Sequence, residues 1–218
     1  MYYPVESTWY PTDDLRRENQ SRYNISDQEN PKIIALDPGV RKFLTGYDPI
    51  NYRSILIGAN IKKEIIPILL EIDYIQSNKL KNIDLRSQHR RVKNLIQELH
   101  CKVVSYLVEN YDIILLPTFE TSKMVRSKKL TRMTKRLMNV FSFYKFRQRL
   151  EYKCKVYNKQ LIIVDESYTS KTCTCCGEIN KELGTSEEFK CPNCKIEVDR
   201  DVQSARNILI KNIRLRWP

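Results

Sequence analysis

Two Cys-x-x-Cys pairs, Cys173 with Cys176 and Cys191 with Cys194, stand fourteen residues apart. Four thiolates at that spacing close a tetrahedral shell around one zinc ion. Each pair forms a knuckle, turned by Gly177 in the first and by Pro192-Asn193 in the second. A closed shell leaves no position for a substrate, so the expected Zn²⁺ is structural. The competing reading, a redox dithiol, would not need two matched pairs. Cys175 lies inside the first pair. It is assigned as a spare thiol, because the run Cys-x-x-Cys-Gly selects Cys176. The other two of the seven cysteines, Cys101 and Cys154, fall in helical patterns. This usage fits a reducing, intracellular compartment rather than a disulfide scaffold.

Carboxylates form the second candidate group. Asp37 closes the apolar run KIIALD, Glu166 follows QLIIVD, and Asp201 opens the last helical pattern. Glu120 lies just beyond DIILLP. Strand ends converge on one edge of a sheet, and acids gathered there repel one another unless a cation joins them. A hard divalent ion, Mg²⁺ or Mn²⁺, suits carboxylate and water oxygens. Two such ions about 4 Å apart activate water on one side of a phosphodiester and stabilise the leaving oxygen on the other. Each acid alone has a plainer reading as a turn residue or a cap. Asp199 could cap the last helix, and Glu120 could answer the basic run that follows it. The combination carries the chemistry.

The third feature is charge. Lys and Arg number 38 against 26 Asp and Glu, a net charge of +12. That excess points to a polyanionic partner, nucleic acid first and a membrane surface second. No apolar run of about 18 residues exists, so no helix is expected to span a membrane. Arg90 and Arg91 lie on the polar face of a long helical pattern. Lys123, Arg126, Lys128, Lys129, Arg132, Lys135 and Arg136 crowd residues 123–136, and Arg147 follows. Phe141, Phe143, Tyr144 and Phe146 are interleaved with these cations. Such aromatics stack bases or form the core face of their helix, and Phe141 with Leu137 is read as core.

The elements that must position these groups follow from periodicity. Residues 32–37, 43–48 and 53–59 form a three-strand meander. Helices follow over 62–79 and 85–110, the second capped by Asp84. A buried strand covers 112–117, a helix 137–157, a strand 160–165 and a last helix 201–212. Residues 1–31 read as an irregular or partly helical arm. The order β-β-β-α-α-β-α-β-ribbon-α is that of an α/β, RNase H-like mixed sheet with flanking helices. Residues 32–169 and 199–212 make this domain, and 170–198 are an inserted zinc ribbon.

At these residues the chain resembles the C-terminal part of the TnpB proteins of insertion sequences and their eukaryotic and viral relatives, the Fanzor proteins. The matching strings are ALDPGVRKFLTGYDP at 35–49, ILLPTFETSKMV at 114–125, VDESYTSKTCTCCG at 164–177 and CPNCKIEVDRDVQSARNIL at 191–209. The resemblance implies a RuvC-like nuclease domain with a zinc ribbon, related to small type V CRISPR effectors. It also implies RNA-guided cleavage of DNA, with DNA and a guide RNA as partners. By motif, Asp37 is the first catalytic acid and Asp201 the third. Glu166 is favoured as the middle one, with Glu120 second. Two departures stand out. Gln203-Ser204-Ala205 replaces the family's usual Asn-Ala-Ala. Only about 31 residues precede the first strand, where the family carries wedge and recognition domains. The expectation is either a nuclease whose missing domains come from a partner, or a non-cleaving nucleic-acid-binding remnant.

Overall fold

The computed structural model describes Val5–Ser7 and residues 31–213, apart from 80–83, 120, 127–129 and 185. Glu120, Lys128 and Lys129 therefore lie outside the described residues, and Lys123 is described by its backbone only.

Six strands make one sheet in the order β1-β4-β3-β2-β5-β6. Strands β2 (Ile33–Pro38), β3 (Leu44–Asp48) and β4 (Arg53–Ile57) form the antiparallel meander. β5 (Ile113–Pro117) and β6 (Gln160–Val164) continue it in parallel with β2. β1 (Val5–Ser7) pairs with β4 at the other edge, a strand inside the segment read as an irregular arm. Its three residues are too few to produce a periodicity. The ribbon holds a separate hairpin of β7 (Glu188–Lys190) and β8 (Glu197–Asp199).

Alternation along β2 divides the core. Ile34 and Leu36 are buried with α1 (Ile61–Ser77), α2 (Leu85–Asn110), α4 (Arg132–Phe141) and α5 (Phe143–Val156). Ile33 and Ala35 are buried on the opposite face, with Ala205, Ile208 and Leu209 of α6 (Arg200–Ile213). Period two then puts Asp37 on the α6 face and Pro38 on the other. A short helix, α3 (Thr121–Met124), follows β5.

The single helix expected over 137–157 is broken. Ser142 has φ +49°, a left-handed corner between α4 and α5. Residues two apart point to different sides of one helix. The corner lets Phe141 and Phe143 both face Phe43, with ring centroids 5.7 and 5.0 Å away. Phe146 completes the cluster at 5.1 Å. These three phenylalanines are core residues. Tyr144 alone of the four interleaved aromatics is exposed. α4 begins inside the basic run, where Thr131 caps it by accepting the Thr134 N–H at 3.1 Å.

Candidate active site and zinc centre

β2 delivers Asp37 to the sheet edge, and the chain turns back at once. The Gly39 N–H donates to the Phe43 carbonyl at 3.2 Å. A Cβ on Gly39 would sit 3.0 Å from the Lys42 carbonyl oxygen, so the tight turn favours glycine. Ser204 of α6 lies beside the Asp37 carboxyl and favours its charged form. Burial, then the charges of Asp201 and Glu166, push the Asp37 carboxyl well above its ordinary range. The charges of Asp201 and Glu166 thus both reach Asp37, although among the described residues only the four ribbon cysteines converge closely enough to share one ion. Burial also raises Glu166, with Asp165 adding to it.

Asp201 lies in the first turn of α6. Asp199 caps that helix, accepting the N–H groups of Asp201 at 2.9 Å and Val202 at 3.1 Å. Arg41 and Lys42, in the turn after Asp37, face this cap. Arg41 Nη2 lies 2.8 Å from Asp201, and Lys42 Nζ lies 3.6 Å from Asp201 and 2.7 Å from Asp199. Two cations therefore offset the charge of one site acid, whereas Glu166 makes no ion pair among the described residues.

Glu166 rides on the segment 165–172, which α6 holds by its polar side chains. The Thr169 hydroxyl donates to the Glu166 carbonyl at 2.8 Å and lies 3.2 Å from the Ser204 hydroxyl. Asn207 Nδ2 donates to the carbonyls of Thr169 at 2.8 Å and Thr172 at 2.6 Å. Asn212 Nδ2 reaches the Asp165 carbonyl at 3.3 Å. Lys211 Nζ lies 2.5 Å from the Asp165 carboxylate and, with Ser167, holds that carboxyl far below its usual range. Asn207 and Asn212 carry no motif in the sequence, and Ser204 is marked there only as a departure from the family pattern. Their signal was polar residues at buried positions of an amphipathic helix.

The four cysteines of the ribbon converge, their sulfurs all within 4.8 Å of one another. Cys173 Sγ lies 3.6 Å from Cys194 Sγ, and Cys176 Sγ lies 3.5 Å from Cys191 Sγ. Zn–S bonds of about 2.3 Å in a tetrahedron place sulfurs roughly 3.8 Å apart, so the cluster fits a zinc ion. Each knuckle closes on its backbone: the Gly177 N–H donates to the Cys173 carbonyl at 3.0 Å, and the Cys191 N–H to the Ile196 carbonyl at 3.0 Å. Gly177 has φ +78°, which glycine adopts without strain. Cys175 is exposed. Phe189 fills the small core beneath, packed with Cys173 and Cys191.

The ribbon docks beside the acids. The Arg200 N–H donates to the Glu187 carbonyl at 2.8 Å, and Arg200 Nη1 to the Gly184 carbonyl at 2.8 Å. Arg41 Nη1 approaches the Glu187 carboxylate at 3.6 Å. The candidate nucleic-acid residues are more dispersed. Arg90 and Arg91 are exposed on α2, and Arg126 and Arg132 are exposed near α4. Lys135 is half-buried, and Arg136 pairs with Asp73 of α1 at 2.6 Å. Arg147 stands 5.8 Å from the ring centroid of Tyr144.

Comparison with known proteins places these features in a family. Residues 143–208 match the model described as Cas12f1-like, TNB domain. A TnpB-like protein of Acanthamoeba polyphaga mimivirus is 35% identical over 204 residues, which are 86% of this chain and 38% of that protein. A putative transposase of Paramecium bursaria Chlorella virus 1 is 31% identical, over 84% of this chain and 44% of its own. The chain thus spans 38% of the length of the first of these relatives and 44% of the second. Its fold is similar to a chain in the structure of a Cas12f1–sgRNA–target DNA complex, with TM-score 0.61 and 21% identity. That match covers 84% of this chain and 51% of the other.

Proposed function

We propose, from this chain's membership of the TnpB/Cas12f-type family of transposon-associated, RNA-guided nucleases, that it carries the phosphodiester-cleaving centre of such an enzyme. Asp37, Glu166 and Asp201 are its carboxylates. The observation that carries this reading is the crowding of acids about the end of β2: burial, then the charges of Asp201 and Glu166, drive Asp37 towards its protonated form. A divalent cation relieves that repulsion, and the all-oxygen donor set suits Mg²⁺ or Mn²⁺. Such an ion, when bound, polarises a phosphate oxygen and lowers the pKa of bound water. Glu120 remains the alternative middle acid.

The chain's own residues supply the rest. Ser204 favours the charged form of Asp37, and Asn207 and Asn212 fix the segment that presents Glu166. The zinc ribbon, residues 170–198 inserted between 32–169 and 199–212, anchors the start of α6 and so the position of Asp201. DNA and a guide RNA are the proposed partners, their backbones met by Arg90, Arg91, Arg126, Arg132 and Arg147. A reducing compartment suits the four thiolates.

The test is cleavage of labelled single-stranded DNA with Mg²⁺ or Mn²⁺, beside Asp37→Ala. Cleavage that needs both the metal and Asp37 supports the reading. A second reading, nucleic-acid binding without cleavage, is favoured by Arg41 and Lys42, which pair with Asp201. Binding retained with no metal-dependent cutting would select it.

A further inference from the structure

A cavity of about 470 Å³ opens at the C-terminal ends of β2 and β5. We propose that it seats one unpaired nucleobase of the strand that runs past the carboxylates. The proposal rests on the nucleic-acid reading above and adds to it a subsite that recognises a base.

Position is the first argument. Pro38 lines the cavity and directly follows Asp37. Period two turns these neighbours to opposite faces of the sheet. The cavity therefore lies across the sheet edge from the acids. A nucleotide at that edge can place its phosphate on one side and a base on the other.

Chemistry is the second argument. The floor is apolar and largely aromatic, made by the buried Leu116, Met138, Phe143 and Phe146. The rim carries neutral polar groups, the Thr118 and Ser122 hydroxyls and the Asn139 amide, all exposed. No carboxylate or thiol lines it among the described residues, so the lining does not suit a metal ion. A base has two apolar faces to bury and a polar edge to hydrogen-bond, and this lining meets both.

Charge is the third argument. Arg147 and Tyr144 form one wall, the guanidinium 5.8 Å from the ring centroid. The exposed tyrosine ring offers a stacking face, and the guanidinium beside it suits the next phosphate along the strand. The left-handed corner at Ser142 makes this wall, because it separates α4 from α5 and leaves Tyr144 outside while Phe143 turns in.

The experiment is equilibrium binding of the full chain, without divalent metal, to two fluorescein-labelled strands of equal length. One is polythymidine; the other has the same phosphates but abasic sugars. The wild type is expected to favour the strand with bases by about tenfold, in keeping with one stacked base. Tyr144→Ala removes the exposed wall, and Ser122→Trp blocks the mouth. Both should bring the preference close to one while leaving affinity for the abasic strand unchanged. Equal binding of the two strands by the wild type would overturn the proposal. So would a preference untouched by both variants. Failure of the wild type to bind either strand would instead overturn the nucleic-acid reading itself. Since no metal is present, the result is independent of cleavage.

Discussion

Asp37 is held where its charge is least welcome, half-buried at the sheet edge and under the charge of two further acids. Such a site trades stability for function. Asp37→Asn keeps the shape and removes the repulsion, so the metal-free protein should melt a few degrees higher while metal-dependent cleavage falls to background. Scanning calorimetry in chelator, beside a cleavage assay, checks both halves; a lower melting temperature would contradict the strained-acid account. His100 is a second residue under tension, with no part in the site. It is buried, its Nε2 donates to the Phe141 carbonyl at 2.9 Å, and its ring stacks on Phe43 at 5.4 Å. Burial lowers its pKa to about 4. The unfolded chain, with His near 6.5, then binds the extra proton first as pH falls. Stability is full above about pH 6.5 and declines towards pH 4, by up to ~3 kcal/mol. Denaturant unfolding at several pH values should show a shallower acid slope in His100→Gln. The two residues differ in legibility. Asp37 announced itself by closing an apolar run, whereas His100, four residues after Ile96 and three before Val103, lies on the apolar stripe itself, where its polar side chain gave no sign of burial.

At the scale of elements, α6 organises the site. One face reads Asp201, Ser204, Ala205, Ile208 and Asn212, so a single helix supplies an acid, a polar neighbour of another acid, a core and a clamp on the Glu166 segment. Asn207→Ala would leave the Thr169 and Thr172 carbonyls without this donor, at a cost of about 1–3 kcal/mol for buried, unsatisfied groups. The variant should need more Mg²⁺ for half-maximal cleavage, because Glu166 and the first knuckle hang from the same segment. An unchanged metal requirement, despite lower stability, would mean that the clamp serves folding alone. The strands and long helices around this element were legible because each is an unbroken apolar run or a sustained stripe. The places that were not legible share a cause, since tertiary contacts decided them. The helix break at Ser142 follows from packing two phenylalanines on Phe43. α4 starts at Arg132, inside the basic run and before the helix expected from 137, whose Leu137 and Phe141 are core as read. The pairing of Val5–Ser7 with β4 joins residues far apart in sequence. Asp199 settled as the helix cap, one of the plain readings the residues allowed.

For the whole molecule, the question is how the four-cysteine ribbon and the carboxylate edge depend on each other. The main core contains no ribbon residue: β2–β5 pack with α1, α2, α4 and α5 on their own. The ribbon's core is three buried residues, of which two are zinc-ligand candidates. So small a core would depend on a zinc ion held by the four thiolates for its folding free energy. Loss of zinc should therefore melt 170–198 and leave the sheet standing. The damage would then pass to the site through Arg200, which ties the ribbon to the first turn of α6, and through the pairing of Arg41 with both Glu187 and Asp201. Elemental analysis should find one zinc per chain. Stripping it with a chelator and a thiol reagent should remove the ribbon's protection from hydrogen exchange and most of the cleavage, while the helical circular dichroism largely remains. Cys191→Ser should reproduce that state without reagents. Cleavage that survives demonstrated loss of zinc would separate the two halves and leave the ribbon another task. Collapse of the whole sheet would instead show that the edge between them is part of the fold's foundation.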